Sequence, residues 1–504
     1  MNSTIIHGRR LASLAAVLVI AAGCGRKSSV VLERPLRDVV KTESDSQTLM
    51  AWADAGASAD ILIHIDRTDG LAVFAPSLQE TMKNTADHLG RKNSEVVGKI
   101  ASIVESGGTV NIGKMAGMYE RVIWIIPTHG SVTDLPVENF KQALIRQRGF
   151  PAGELEDFAV SGKHITGTIG GVPLTVTSLE DLETAGEIAI LDIDLSYFAG
   201  LQATSADYRP GTAALLNFLR ILKRKKIPAV MATVNRSSIN QGASLDIRYY
   251  ADVIEEILTD PSLLEGPVPE KYSLMIQAEK ALAGGQYGEA TALYAGLVTN
   301  LPNEAGLHFS HALALGFLDR GEECRKAMIR AYSIDTAYMR GFFQLARVLG
   351  ANGHISAGEE LLKTPDLAKT LNKVEMDYQW GLFYMQAGLY KQAADMLTTV
   401  TSRRPKDFAL KTVLYRAYAE LDETRDMYKA LESLVTLDRD RVVRDMPWAF
   451  KKLGDLAWEL HLDPVAANWY GQYLEIVPDD PDAGKMRDLV ESWKDGAESP
   501  RPVE

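Results

Sequence analysis

The chain has 504 residues, 46% of them hydrophobic and 24% charged, which excludes wholesale disorder and a polytopic membrane protein and calls for two or more domains. Its net charge of −12 argues against nucleic acid as a partner, because such binding needs a basic face. No zinc-finger spacing, helix-turn-helix cue or aromatic–basic strand motif offsets that charge.

The N-terminus reads as a targeting segment. "MNSTIIHGRR" carries Arg9 and Arg10, and the apolar stretch "LASLAAVLVIAA" after it is too short to span a bilayer. It ends in Ala21-Ala22-Gly23-Cys24, small residues directly before a cysteine. This arrangement resembles a bacterial lipoprotein signal, with Ala21 where leucine is more usual. The resemblance implies a signal peptide over 1–23, cleavage before Cys24, and lipid on the new N-terminal cysteine as the membrane anchor. Gly25 rather than aspartate after the cysteine leans toward the outer membrane, facing the periplasm. A plain secretory signal with an incidental cysteine is the competing reading. Cys324 is the one other cysteine, so lipid on Cys24 leaves no intramolecular disulfide. Residues 24–50, polar and bearing Ser, Lys and Asp, read as a tether.

From 51 to 265 short apolar runs alternate with amphipathic stretches. "ADILIHID" (59–66), "ERVIWIIP" (120–127), "GEIAILDIDL" (186–195) and "IPAVMATV" (227–234) read as buried strands. Helical patterns lie between them: two within 77–106, one over "VENFKQALIRQRG" and one ending in the basic turn "KRKK". Alternation of this kind predicts an α/β domain with a largely parallel sheet. "KHITGTIGGVPLTVTSL" reads as a β-hairpin turning at Gly170-Gly171.

Two of these runs end in acids. Asp192 and Asp194 are two residues apart, so strand alternation puts both carboxylates on one face. Asp66 and Asp69 end another run, and ligands of parallel sheets sit beyond the C-terminal strand ends. Such carboxylate pairs are hard-oxygen candidates for a divalent ion such as Mn, Zn or Mg. Here "LIHIDRTDGL", "NIGKMAGMYERVIWIIP", "ILDIDLSYF" and "PAVMATVNRSSINQG" occur in an order that resembles a poorly characterised arginase-like branch with "HIDAH-D", "YWVVP" and "DIDLDYF" motifs. The resemblance covers roughly residues 58–258 and implies a three-layer α/β/α domain with a metal site, in which Asp66, Asp192 and Asp194 match ligands. Departures accompany it: Thr68 stands where the motif has histidine, Gly70 where it has a second aspartate, and Ser196 at the third acidic position of "DIDLDYF". His129 in "IPTHG" is the better substitute imidazole; His64, two residues before Asp66, is expected nearby but behind the site. The aspartates therefore read as a relic or a single weak site.

From 271 to 490 the texture is helices only, with a period. Gly285, Tyr287, Ala290, Tyr294 and Pro302 fall at tetratricopeptide positions, and stepping 34 residues from Lys271 places units at 305 and 339. The best-matched unit begins near 374 and holds Gly381, Gly388, Tyr390, Ala393, Leu397 and Pro405; a degenerate unit (408–441) and a final one with Gly454, Ala466 and Tyr470 follow. The array resembles tetratricopeptide repeats, which implies an α-solenoid whose concave face holds a peptide or protein partner. Cys324 sits where the repeat requires a small residue, so packing explains it. Residues 491–504 read as a polar tail.

The expected whole is an α/β arginase-like domain followed by an all-α tetratricopeptide solenoid. Its expected function is a lipid-anchored scaffold of the cell envelope, with the α/β domain catalytically degenerate. The competing expectations are a metal-dependent hydrolase of amide or amidine C–N bonds using Asp66, Asp192 and Asp194, and a metal-free binder of a small ligand.

Overall fold

The computed structural model describes residues 28–68, 70–71, 108–134, 136–204, 211–236 and 245–494. They fall into two compact units. One runs to Gly285 and takes in Thr299–Gly306; the other comprises Gln286–Val298 and the chain from Leu307. The signal segment, Cys24, Asp69, the two helices expected within 77–106 and the tail beyond residue 494 lie outside the described residues.

The first unit is built on a nine-stranded sheet: β1 (Ser29–Val30), β2 (Val39–Thr42), β3 (Ile61–Ile65), β4 (Arg121–Ile125), β5 (Ala159–Ser161), β6 (His164–Ile169), β7 (Val172–Thr177), β8 (Ala189–Asp194) and β9 (Pro228–Asn235). The order is β1-β9-β8-β3-β4-β7-β6-β5, with β2 also on β9. The run β9-β8-β3-β4-β7 is parallel, and β6 and β5 continue it antiparallel. Each of the four apolar runs is thus a central strand. Leu62, Val122, Trp124, Val176 and Ile190 pack with Leu49, Trp52, Val110 and Leu144 from the helices Asp45–Asp54, Thr109–Met115 and Val137–Arg148. The alternate residues Ile61, Ile63, Leu191 and Ile193 are equally buried, which is why these strands are apolar on both alternations. The helices Ser196–Thr204, Thr212–Arg224 and Tyr250–Thr259 pack through Phe198, Phe218 and Tyr250, with ring centroids 4.9 and 5.0 Å apart. The β6–β7 hairpin turns at Gly170 and Gly171, whose φ angles of 55° and 78° suit the left-handed two-residue turn that favours glycine.

Two expected boundaries shift. The stretch 24–50, expected as a tether, is part of the domain from residue 29 on. Strand β1 pairs antiparallel with β9, Val30 opposite Pro228, and β2 pairs parallel with it, Val40 opposite Thr233. The helix Asp45–Asp54, capped by Ser44 accepting from the Gln47 amide, buries Leu49 and Trp52 completely. Strands of two and four residues carry too little sequence for a pattern, and their partner is distant in the chain.

The helix Glu270–Ala283, expected to open the repeat array, groups with the first compact unit. Its Glu279 accepts from the Tyr249 hydroxyl at 2.5 Å, the Thr212 hydroxyl at 2.7 Å and the Thr212 amide at 2.8 Å. The helix Thr212–Arg224 has Gly211 at its N-cap and no side-chain cap of its own. Glu279 supplies one from another helix, where a carboxylate also suits the dipole.

In the second unit helices follow in pairs: Ala305–Gly316 and Gly321–Ile334, Met339–Ala351 and Ile355–Leu362, Lys373–Gln386 and Tyr390–Arg403, Phe408–Glu420 and Thr424–Leu437, Trp448–Glu459 and Asp463–Ile476, with Ala483–Lys494 last. The first helices begin at 305, 339, 373 and 408, the 34-residue step read from the sequence to within one residue. Short helices at Pro365–Thr370 and Arg439–Asp445 were not expected; the first fits within the period, and the second lies in the longer step from Phe408 to Trp448. The repeat positions earn their residue types by packing. A Cβ at Gly381 would stand 2.7 Å from Leu397, one at Gly454 2.6 Å from the Tyr470 ring, and Cys324 is fully buried. Among the described residues no helix is long and apolar enough to cross a membrane.

Candidate functional site: a closed carboxylate–imidazole cluster

Strand register assembles the candidate site. His64 on β3 lies opposite Trp124 on β4 and Asp192 on β8, and Asp192 lies opposite Thr233 on β9. Registered residues of a parallel sheet share a face, so these four side chains form one rung near the C-terminal strand ends. A second rung follows two residues on, with Asp66 just past β3, Asp194 on β8 and Asn235 on β9. Asp45, at the start of the Asp45–Asp54 helix, joins it by accepting from Asn235 Nδ2 at 2.8 Å.

The rungs are tied by hydrogen bonds. His64 Nδ1 lies 2.8 Å from Asp192 Oδ2; His64 Nε2 lies 3.3 Å from Asp66 Oδ2 and 3.1 Å from the Thr68 carbonyl. Asp192 Oδ1 accepts from the Thr233 hydroxyl at 2.6 Å, itself an acceptor for Trp52 Nε1 at 3.1 Å. Asp66 accepts from the Thr68 hydroxyl at 2.8 Å and from the Ser196 hydroxyl. The Ser196 amide donates to Asp194 Oδ1 at 2.7 Å, and Trp124 Nε1 donates to the Asp66 carbonyl at 3.0 Å. Water is largely excluded: His64, Asp66, Asp192 and Asp194 are 6, 3, 4 and 1% exposed.

Both nitrogens of the His64 ring face acceptors, an environment that favours N–H on both. The electrostatics agree. Burial alone would lower the His64 pKa, but hydrogen bonds and charge from Asp192 and Asp66 outweigh it and hold the pKa well above the ordinary imidazole value. Asp66 is likewise opposed by burial, yet its bond to His64 leaves it below the usual carboxylate range. Asp194 is pushed well up by burial and by the charge of Asp66. Burial and the charges of Asp66 and Asp192 raise Asp45 to about 6.

The sequence therefore located the aspartates correctly as a strand-end group, while the imidazole among them is not the one it favoured. His64 is central rather than behind the site, because the β3–β8 register sets it directly beside Asp192. His129 bonds through Nε2 to the Leu201 carbonyl at 3.1 Å and lines a cavity of about 580 Å³ with Thr128, Ser178, Tyr197, Asn217 and Phe218. Asp69 lies outside the described residues. Thr233 and Asn235 went unremarked, although they end the apolar run "PAVMATVN" with the same two-residue alternation as Asp192 and Asp194. Asp45 and Trp52 carry no such signal.

Among the described residues, carboxylate oxygens that a metal ion would use are already engaged by side chains. A hard divalent ion needs several oxygens directed at one point, and the Asp66 and Asp192 oxygens that flank a common position both bond the His64 ring placed there. Among the described residues no group of three or more His, Cys, Asp or Glu side chains is arranged to hold one.

No family model and no curated protein matches the chain. Solved structures similar to it include the TPR domain of P58(IPK), at 14% identity over 45% of this chain and 66% of that one, TM-score 0.22. PilW, a type IV pilus biogenesis factor, matches at 12% identity over 44% of this chain and 100% of its own, TM-score 0.26. The C-terminal part of a TPR repeat-containing protein from Cytophaga hutchinsonii matches at 15% identity over 43% and 85%, TM-score 0.27. Likenesses at these scores carry no argument; the repeat assignment rests on the helix pairs and their spacing.

Proposed function

We propose that the chain is a protein-binding scaffold of the cell envelope. In this reading lipid on Cys24 anchors it, on the outer membrane facing the periplasm; the helical array holds a peptide or protein partner; and the α/β domain, arginase-like in its motifs, is a non-catalytic support. The observation that carries the reading is the array: five successive helix pairs, the first four in a 34–35-residue step, with small residues at the inter-helix contacts, an architecture whose use is an extended binding face. Trp448, on the first helix of the last pair, is 46% exposed and meets Tyr415 of the preceding pair with tilted rings 6.1 Å apart. An exposed tryptophan on such a helix has the character of a binding anchor. The hydrolase reading would need Asp66 and Asp192 to face a common ion, and they face His64.

The test is recovery of the crosslinked full chain from membranes of the producing cell, with Trp448→Ala and Cys24→Ser beside the wild type. The reading expects one partner in near-stoichiometric amount with the wild type, at least tenfold less with Trp448→Ala, and transfer of Cys24→Ser to the soluble fraction. Undiminished recovery with Trp448→Ala would remove the partner assignment. A wild-type chain already in the soluble fraction would remove the anchor.

A further inference from the structure

Three departures from the arginase-like motifs, read singly, look like losses; in the structure all three serve one arrangement. Thr68 and Ser196, standing for a histidine and an acid, each give a hydroxyl to Asp66. Gly70, standing for an aspartate, has a φ of 60°, and a Cβ there would lie 3.2 Å from His64 Nε2 and 2.8 Å from Val110 Cγ2. A side chain there would be strained by the backbone and would press on Val110 and on the ring. We propose that the His64 ring occupies the place of a metal ion at this cluster, lying between Asp66 and Asp192, whose oxygens it and the hydroxyls of Thr68, Ser196 and Thr233 engage.

The charges and donors are matched for this role. Asp192 accepts from His64 and Thr233, and Asp66 from His64, Thr68 and Ser196. Two buried carboxylates with no cation between them would repel in a medium of low dielectric. The His64 ring lies between the two, 2.8 Å from Asp192 Oδ2 and 3.3 Å from Asp66 Oδ2, and brings its own ring nitrogens to that position. An organic cation fixed to the backbone of β3 also needs no loading step. The inference concerns the α/β unit alone and does not depend on the scaffold reading of the array.

The experiment uses the full chain and Mn²⁺ as probe, with calorimetric titration and thermal unfolding read in parallel. Wild type is expected to bind no Mn²⁺ at the cluster and to unfold at the same temperature with Mn²⁺ or with a chelator. His64→Ala is expected to unfold several degrees lower and to regain that loss on adding Mn²⁺ or imidazole. Its Mn²⁺ affinity should exceed wild type at least tenfold. If His64→Ala does not accumulate, His64→Ala/Asp66→Asn/Asp192→Asn, which removes the anions with the cation, should be recovered folded and indifferent to Mn²⁺. Stoichiometric Mn²⁺ on wild type that is lost in His64→Ala would make His64 a ligand and overturn the proposal. So would a folded His64→Ala that responds to neither Mn²⁺ nor imidazole, or a triple variant that also fails to fold.

Discussion

Gly70 and Gly381 are glycines for the same immediate reason, a side chain pressed where a Cβ would go, yet they belong to regions of opposite character. At Gly381 the neighbour is Leu397, one element of a contact that recurs from pair to pair with Gly454 and Tyr470. At Gly70 the neighbours are Val110 at 2.8 Å and the His64 ring at 3.2 Å, and the contact occurs once. The repeat region specifies itself by periodic volume, small against large at a fixed spacing. The strand-end cluster specifies itself by a particular set of donors and acceptors gathered around the His64 ring. Errors in the first lead to strain that neighbours can share; errors in the second leave a buried charge uncompensated.

That contrast sets the scale of the expected effects. The largest belongs to Asp192→Ala, which strips the buried His64 imidazolium of its closest carboxylate. Breaking a buried pair from one side costs about 3–5 kcal/mol, and denaturant unfolding should show that loss in the α/β unit, with the helical signal of the array melting as in wild type. A loss below about 1 kcal/mol would put the pair on a par with surface ion pairs and erase the distinction between the regions.

Next comes Gly454→Ala, whose new Cβ meets the Tyr470 ring at 2.6 Å, a ring held in turn by the bond from its hydroxyl to Asp455 at 2.8 Å. Overpacking of this kind costs about 1–3 kcal/mol, and here the array transition should move while the α/β transition stays. No shift would mean that the ring gives way freely and that periodic volume is not what fixes the repeat.

The smallest effect is at Cys324. Burial pushes its thiol up to about 12, so the neutral form persists at about pH 8, where an ordinary cysteine is already partly thiolate. The native chain should leave a thiol reagent unreacted at this position, and reaction should begin only as denaturant unfolds the array. Fast labelling of Cys324 in the native chain would show that the packing position is open.

Much of the architecture was legible in the sequence because it is written locally. The four apolar runs became β3, β4, β8 and β9 with ends shifted by two or three residues at most, the Gly170-Gly171 turn formed as expected, and the 34-residue step held. What escaped the sequence is non-local. The pairing of β1 and β2 with β9, and the capping of one helix by Glu279 from another, join residues far apart in the chain, and no window of sequence contains both partners. The strand-end aspartates were legible as a group because alternation and chain direction suffice to place them. Their occupant was not: it depends on the lateral register of β3 against β8, and a register slip of one residue would turn His64 to the opposite face. For the same reason Thr68, Gly70 and Ser196 looked like damage until the ring they surround was in view.

The most direct measurement is a Mn-edge anomalous difference map from crystals of the full chain grown with excess Mn²⁺. The account expects no peak at the cluster, with the His64 ring within hydrogen-bonding distance of both Asp66 and Asp192. An anomalous peak between those carboxylates, with the ring displaced or coordinating the ion, would contradict it.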